Sequence, residues 1–323
     1  MTLDNIIEEI NNAESIVILT HENPDGDAIG SSLALYNGLK QIGKNADLII
    51  PEFPQTFEFL KNSKEVKKEG KTEKYDLAIA LDCGDIKRLD GFAKYFEDAN
   101  VRISIDHHSA NTMFADYNFV NPMAPACCQI LVTVLEALGI EIDKEIGACL
   151  LTGIITDTGG FKYSGVTSET FEFAAELLNK GVNVSNIYKK VLQTLSKPSF
   201  ELRRKAMNRL EFLEEGKIAF TYTTLKDEEE TMAGSNSHDG IVEMGRDIEG
   251  VEISIFLREK EDGYKISLRS NEYVNVSDIC LMFSGGGHIR AAGGSINLPF
   301  EQAKQKVIDE CKKYLKWGKQ WME

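Results

Sequence analysis

The first half of the chain alternates short apolar runs with segments of helical spacing. Four apolar runs are typical of buried parallel strands: residues 15–20, 46–50, 76–82 and 101–106. Four segments with apolar residues at helical spacing predict helices: residues 27–42, 124–138, 144–156 and 168–179. Because strands alternate with helices, the pattern predicts a parallel sheet that is covered by helices on both faces.

The pattern changes after Gly181, where helical stretches lead away from the predicted sheet. Three further segments look like strands with the spacing of hairpins: residues 217–225, 251–259 and 264–270. Residues 261–263 form one expected turn, and helices are expected around 236–247 and 300–317.

These patterns predict an α/β protein. We expect a parallel-sheet domain over residues 1–185, a helical linker over 186–200 and a smaller α+β domain over 201–323. The length of 323 residues supports two domains. A single hydrophobic core rarely grows beyond about 250–300 residues.

Charge restricts the partners that the chain can bind. It has 36 Lys and Arg residues against 51 Asp and Glu residues, a net charge of −15. Proteins that bind long nucleic acids or anionic membranes usually present a basic surface, so we expect neither partner. The chain shows no signal peptide, no membrane-spanning run and no CxxC motif among its six cysteines. We therefore expect a cytoplasmic protein with reduced thiols.

Histidine and aspartate residues are concentrated in loops that follow the predicted strands, with one further aspartate at the end of a predicted helix. The candidates are His21, Asp25, Asp27, Asp82, Asp106, His107, His108 and Asp157. In parallel α/β sheets the carboxyl ends of the strands form the usual ligand-binding edge. Asp85 and Asp90 are expected to be helix caps or turn residues, and His238 a loop residue or cap.

These donors predict a metal centre. Imidazole and carboxylate groups without a thiolate favour Mn²⁺ or Mg²⁺ over structural zinc. The number of donors favours two ions, which Asp82 could bridge. Two such ions can activate a water and hold the attacking and leaving oxygens of a phosphoryl transfer.

The segment FSGGGHIRAAGG, residues 283–294, is a second candidate site. Its three successive glycines expose backbone N–H groups and allow an anion to approach closely. We expect a helix to begin just after them, with His288 and Arg290 as further donors and Arg269 nearby in sequence. The alternative is a tight strand–helix turn that binds nothing.

The motifs HENPDGDAIGS, ALDCGD, IDHH, TDTGGF, SLRS and SGGGHIRAAG, in this order, resemble those of the DHH phosphoesterases that carry a DHH-associated C-terminal domain. The resemblance extends over almost the whole chain. It implies Mn²⁺-dependent hydrolysis of very short single-stranded RNA to nucleoside 5′-monophosphates, with Mg²⁺ or Co²⁺ as other candidate ions. It further implies dephosphorylation of 3′-phosphoadenosine 5′-phosphate to AMP, and it suggests a homodimer.

The resemblance also implies a role for each matching residue. The ligands of one ion would be His21, Asp25 and Asp82, and those of the other Asp27, Asp82, His107 and Asp157. Asp106 would orient the neighbouring histidine, and His108 would act on the substrate phosphate as a donor or proton carrier. The residues that would hold a terminal phosphate or its nucleotide are Arg269, Ser270, Gly286, Gly287 and His288.

Two departures from the family pattern and several alternatives remain. Pro125, Cys127 and Cys128 stand where the family often has small hydroxyl residues, and Ser284 where a fourth glycine is common.

The main alternative function is a phosphodiesterase for cyclic or linear dinucleotides such as c-di-AMP and pApA. Single-strand DNA exonucleases and pyrophosphatases are weaker matches. A nucleotide-sensing module without catalysis is the alternative outside the enzymes, and it would be expected to lack some of the metal ligands.

Overall fold

The computed structural model describes residues 2–50, 52–72, 74–163 and 165–319. It divides the chain into two compact units, Met1–Thr194 and Leu195–Glu323. In the described part of the chain, no helix combines the length and the apolar character needed to cross a bilayer.

The first unit is built on a five-stranded sheet. Its strands are β1 (Ile16–Leu19), β2 (Ala46–Leu48), β3 (Leu77–Leu81), β4 (Val101–Asp106) and β5 (Tyr117–Val120). All of them are parallel, in the order β2–β1–β3–β4–β5, which confirms the predicted α/β class. Alternate residues of β1 enter different cores, Ile16 and Ile18 on one face and Val17 and Leu19 on the other. This arrangement explains why the strands read as continuous apolar runs.

Helices cover this sheet. They are α1 (Thr2–Asn12), α2 (Gly26–Gln41), α3 (Ala93–Glu97), α4 (Cys127–Ala137), α5 (Lys144–Asp157), α6 (Ser168–Asn179) and α7 (Val184–Tyr188). Helix α2 packs closely on α5 because small residues face each other. A Cβ atom at Gly153 would lie 2.3 Å from Sγ of Cys128 and 2.6 Å from Oδ1 of Asp27. Glycine at this position therefore lets α5 approach the start of α2, where several candidate ligands lie.

The second unit contains a six-stranded mixed sheet. Its strands are β6 (Glu211–Leu213), β7 (Ile218–Thr223), β8 (Ile253–Lys260), β9 (Gly263–Ser270), β10 (Gly286–His288) and β11 (Ala291–Ile296). The order is β10–β11–β9–β8–β7–β6, and only the β7–β8 pair is parallel. Strands β8 and β9 form a hairpin that pairs Lys260 with Gly263, at the predicted turn.

Helices pack on both faces of this second sheet. They are α8 (Lys197–Asn208), α9 (Leu225–Thr231), α10 (Ile241–Arg246), α11 (Val276–Leu281) and α12 (Phe300–Lys319). Residues of α11 and α12 contribute to the larger core, and residues of α8 and α10 form a smaller one around Phe256. The helix expected over 236–247 is interrupted, since a 3₁₀ turn at Ser235–His238 precedes α10 and Gly240 adopts φ +79°.

One expectation for the second unit is wrong. No helix follows the successive glycines, because Gly286–His288 form a strand that pairs antiparallel with β11. The glycines instead permit close strand packing, since a Cβ atom at Gly285 would lie 2.0 Å from the carbonyl oxygen of Gly293. His238 ends the 3₁₀ turn Ser235–His238 between α9 and α10, where it is buried and its Nε2 lies 3.1 Å from Oε1 of Glu228.

Candidate functional site

The carboxyl edge of the first sheet carries most of the predicted ligands. His21 follows β1, Asp82 directly follows β3, and Asp106 is the last residue of β4. Strands β1 and β3 are adjacent, although β2 precedes β3 in the chain and lies on the other side of β1. This reversal of strand order opens the crevice in which parallel α/β proteins bind ligands.

Three sets of side chains at this edge each bring their donor atoms within 4.8 Å of one another. The sets are His21, Asp25 and Asp82; Asp27, His107 and Asp157; and Asp82, His107 and His108. The two outer sets are linked through the third, which contains Asp82 and His107. The arrangement could hold more than one cation.

Asp82 is the central residue of these sets. Its φ of +52° lies in the left-handed region that residues other than glycine rarely adopt. One carboxylate oxygen lies 3.4 Å from Nε2 of His107 and 3.6 Å from Nδ1 of His108. The other lies 3.9 Å from Nε2 of His21. Burial opposes ionisation, but the hydrogen bond to His107 and the charges of the histidines hold the pKa of Asp82 at about 2.

His107 turns one ring nitrogen toward the carboxylates. Its Nε2 lies 3.3 Å from Asp157 and 4.0 Å from Asp27, while Nδ1 lies 3.3 Å from the carbonyl oxygen of Ala124. Burial lowers the pKa of His107, but the hydrogen bond to Asp82 and the surrounding carboxylates raise it to about 10. A contact between Nδ1 and a backbone carbonyl is typical of metal-binding histidines, because it fixes which nitrogen faces the ion.

Asp27 and Asp157 are carboxylates at the ends of two helices. Burial, followed by the charge of Asp82, raises the pKa of Asp27 to about 7. Burial, followed by the charge of Asp27, raises the pKa of Asp157 to about 9. Asp27 also caps helix α4, since its oxygens accept hydrogen bonds from the backbone N–H groups of Cys127 at 2.5 Å and Cys128 at 2.9 Å. Burial of these carboxylates close to one another is unfavourable, so protons or bound cations that offset their charge would stabilise the group.

His21 provides an independent test of whether the donors fit a cation. Its side chain is buried, and burial lowers the pKa of the imidazole, which favours the neutral form that binds metals. Within the described residues, Nδ1 of His21 is buried and has no hydrogen-bond partner. A buried polar atom without a partner is costly, and Nε2 of the same ring lies 3.9 Å from Asp82, so the imidazole of His21 fits a ligand role.

Asp106 does not join the three sets, because protein groups occupy both of its oxygens. Oδ1 accepts a hydrogen bond from Nδ1 of His108 at 2.7 Å, and Oδ2 accepts one from the side-chain amide of Asn111 at 2.7 Å. Burial opposes ionisation of Asp106, but these hydrogen bonds and the charge of His108 lower its pKa below the ordinary value. Asn111 and Asp106 thus fix the orientation of the His108 ring.

The second unit brings Arg269, on β9, next to the glycine hairpin, because the register pairs Arg269 with Ala291 of β11. Nε of Arg269 donates to Oε1 of Glu243 at 2.9 Å. The hydroxyl of Ser270 donates to the carbonyl oxygen of Val274 at 2.6 Å and therefore organises the following loop. His288 is exposed at the end of β10.

Arg290 holds the same loop in place. Its guanidinium donates to the carbonyl oxygens of Val274, at 2.7 Å, and Glu272. The carboxylate of Glu252 fixes this loop as well, by accepting hydrogen bonds from the N–H groups of Glu272, Tyr273 and Val274.

Comparisons with known proteins match both units. Residues 15–154 match the DHH family, N-terminal domain, and residues 217–316 match the DHHA1 domain. The chain is 34% identical to the bifunctional oligoribonuclease and PAP phosphatase NrnA of Thermus thermophilus, over 93% of this chain and 90% of that protein. The chain belongs to the DHH family.

This DHH protein has further similar relatives. It is 24% identical to the bifunctional oligoribonuclease and PAP phosphatase NrnA of Bacillus subtilis, over 90% of this chain and 92% of that protein. A solved structure of an exopolyphosphatase-related protein from Bacteroides fragilis superposes with a TM-score of 0.91 at 29% identity. That match covers 98% of this chain and 97% of the other. The metal dependence of the DHH family agrees with the clusters of donors at the sheet edge.

Three contacts of the DHH protein were not predicted from the sequence. They are those of Asn111 with Asp106, of the N-terminus of α4 with Asp27, and of Glu243 with Arg269. Asn111 follows the histidines by only a few residues, so its proximity was a usable signal. The other two contacts join residues that are 100 and 26 positions apart in the chain, and no local pattern reveals them.

Proposed function

We propose that this chain is a metal-dependent phosphoesterase that hydrolyses short oligoribonucleotides to nucleoside 5′-monophosphates and converts 3′-phosphoadenosine 5′-phosphate to AMP. The observation that carries the proposal is the linkage of three donor sets through Asp82 and His107 at one sheet edge. The relative from Thermus thermophilus, which is named for both activities, supports the choice of substrates.

One cation would be held by His21, Asp25 and Asp82, and a second by Asp27, His107 and Asp157 together with Asp82, which lies 3.4 Å from His107. Oxygen and imidazole donors favour Mn²⁺, with Mg²⁺ or Co²⁺ as substitutes. When bound, such ions lower the pKa of a coordinated water and offset the negative charge of a phosphate.

The side chains around the centre orient the substrate and handle its proton. Asp106 accepts a hydrogen bond from Nδ1 of His108, and we assign the other ring nitrogen, Nε2, to the substrate phosphate or the leaving oxygen. Asn111 holds Asp106 in place, so the side chain of His108 loses little conformational entropy when the substrate binds. In the second unit, Arg269, His288 and the backbone of Gly286 and Gly287 bind a terminal phosphate.

The decisive variant is Asp82→Asn, which keeps the size of the side chain and removes its charge. We expect kcat/KM to fall by about three orders of magnitude or more, since one residue contributes to both cation sites. Asp85→Asn is the matched control. Asp85 lies in the same loop but only caps a short helix, where it accepts a hydrogen bond from Lys87 N–H at 2.8 Å.

The assay uses RNA from the dinucleotide upwards, 3′-phosphoadenosine 5′-phosphate, linear and cyclic dinucleotides and polyphosphate, each with Mn²⁺ and with Mg²⁺. Binding of Mn²⁺ to each variant is measured separately by calorimetry. Full activity of Asp82→Asn would refute the proposed centre. Hydrolysis of cyclic dinucleotides or polyphosphate in place of short RNA would refute the proposed substrates, and binding without hydrolysis of any of them would indicate a sensor.

A further inference from the structure

Arg269 is held in one orientation by two protein acceptors. Its Nε donates to Oε1 of Glu243 at 2.9 Å, and its Nη1 donates to the carbonyl oxygen of Leu268 at 3.0 Å. Both partners lie in the second unit, Glu243 on α10 and Leu268 on β9. A guanidinium fixed at Nε and by one N–H of Nη1 presents its remaining N–H groups, one on Nη1 and two on Nη2, in a defined direction.

The carboxylate of Glu243 contacts Arg269 through only one of its two oxygens. Its side chain is three-quarters buried, with 25% exposure, and only Oε1 binds Arg269. Within the described residues, Oε2 of Glu243 is buried without a hydrogen-bond partner. A pair selected for stability alone would use both oxygens in a bidentate contact, because an unsatisfied buried oxygen costs free energy. The one-sided contact leaves part of the guanidinium edge for another anion.

A second positive charge lies close to the same carboxylate. Arg203 donates from Nε to the carbonyl oxygen of Asp239 at 3.0 Å, just before α10. Burial lowers the pKa of Arg203, and the charges of Glu243 and Asp239 raise it. The charge of Glu243 therefore acts on two guanidinium groups, on that of Arg269 by direct contact and on that of Arg203 electrostatically.

We infer that Glu243 is a positioning residue, which holds Arg269 in the orientation that binds the terminal phosphate of the substrate. This inference rests on the proposed function, because it assigns a support to the phosphate site of that reaction. It predicts that the acceptor oxygen of residue 243 matters more than its negative charge.

The test compares Glu243→Ala with Glu243→Gln. Alanine removes the acceptor and frees Arg269, so KM for a 5′-phosphorylated RNA trinucleotide should rise about tenfold, while kcat changes by less than about twofold. Glutamine keeps an acceptor oxygen at the same place and removes the competing charge. Its KM should therefore stay within about twofold of the wild-type value or fall below it.

Glu201→Ala is the matched control, since it removes the same charge from the same unit. Glu201 pairs on the surface with Arg204 at 2.7 Å, and neither residue touches Arg269. This control should leave KM unchanged. As a measurement independent of turnover, calorimetry in EDTA should show weaker binding of adenosine 5′-monophosphate by Glu243→Ala than by Glu243→Gln or the wild type.

Three results would overturn the inference while the proposed function stands. They are an unchanged KM in Glu243→Ala, an equal rise in KM for alanine and glutamine, and a fall in kcat at constant KM. A wild-type protein that hydrolyses none of the short RNA substrates would overturn the proposed function, and this inference with it.

Discussion

Asp27 is both a candidate metal ligand and the cap of a helix that begins 100 residues later in the chain. Helix α4 cannot cap itself, because its N-cap residue is Ala126, which has no side-chain acceptor. The carboxylate of Asp27 takes that role by accepting hydrogen bonds from the N–H groups of Cys127 and Cys128. The change Asp27→Ala should therefore destabilise the first unit even when no metal is present.

The expected loss follows from two opposing contributions. Each hydrogen bond to a charged acceptor stabilises by about 1.5–3 kcal/mol, so the two bonds together contribute about 3–6 kcal/mol. Against this, Asp27 is fully buried beside Asp82, and burial and repulsion together raise its pKa to about 7. Removing the carboxylate relieves that cost. We expect a net loss of about 2–3 kcal/mol in the free energy of unfolding.

Urea denaturation in EDTA measures this loss, and two signals separate the units. The sequence of the first unit contains no tryptophan, since both tryptophans of the chain come after residue 194, so tryptophan fluorescence does not report on unfolding of the first unit. The far-UV circular dichroism reports on both units. Asp27→Ala should move the transition of the first unit to lower urea and leave the tryptophan transition in place.

Asp157→Asn is the comparison that isolates the cap. Asp157 contacts His107 at 3.3 Å, and burial with the charge of Asp27 raises its pKa to about 9. An amide resembles the protonated carboxyl that this pKa implies, so stability without metal should change little. The reasoning is refuted if Asp27→Ala unfolds at the wild-type urea concentration, or if both variants lose the same amount.

Two further predictions concern the second unit. Burial opposes ionisation of Asp227, but hydrogen bonds from Arg209, Thr224 and Lys205 lower its pKa well below the ordinary value near 4. The stabilising contribution of the Asp227 carboxylate is therefore complete above about pH 4 and is lost as the pH falls through the lowered pKa. Acid should destabilise the wild type more steeply than Asp227→Asn in urea titrations followed by tryptophan fluorescence. Parallel pH profiles of the two proteins would contradict this prediction. Gly287→Ala should destabilise the second unit by about 1–3 kcal/mol, because Gly287 has φ +145° and a Cβ atom there would lie 2.6 Å from the carbonyl oxygen of Ala291. Gly286→Ala should change the stability little, since a Cβ atom at Gly286 would meet no heavy atom within 4 Å. Equal losses in the free energy of unfolding for the two substitutions, measured with urea, would disprove this explanation.

The sequence predicts the first sheet well because its strands are buried on both faces. Such strands are continuous apolar runs, and the histidines and aspartates that follow them must meet at the carboxyl edge. Strand β5 could not be predicted from such a run, since all four of its residues are only half-buried and they do not form a continuous apolar segment. Helix α1 was not predicted, although Leu3, Ile6, Ile7 and Ile10 have the i, i+3, i+4, i+7 spacing of an amphipathic helix, so its sequence carried a usable signal.

The glycine segment shows where local pattern alone fails. Successive glycines before a polar residue are compatible both with a helix N-terminus that binds an anion and with a tight hairpin. The hairpin forms because β11 pairs with β9 through six residues and offers its other edge to β10. The free edge of β11 exists only once β11 has paired with β9. The sequence of residues 283–294 alone therefore could not decide between the two conformations.

A small part of the negative charge of the chain, whose net value is −15, is buried at the sheet edge. Asp27 and Asp82 are buried there together, and Asp157 lies close enough for Asp27 to raise its pKa. Burying like charges in one place is unfavourable unless cations or protons compensate them. A divalent ion that binds only the folded chain would remove this repulsion and stabilise the first unit by mass action. Ions held by these carboxylates would then attract a short phosphorylated substrate, whereas the remaining acidic surface would disfavour a long one.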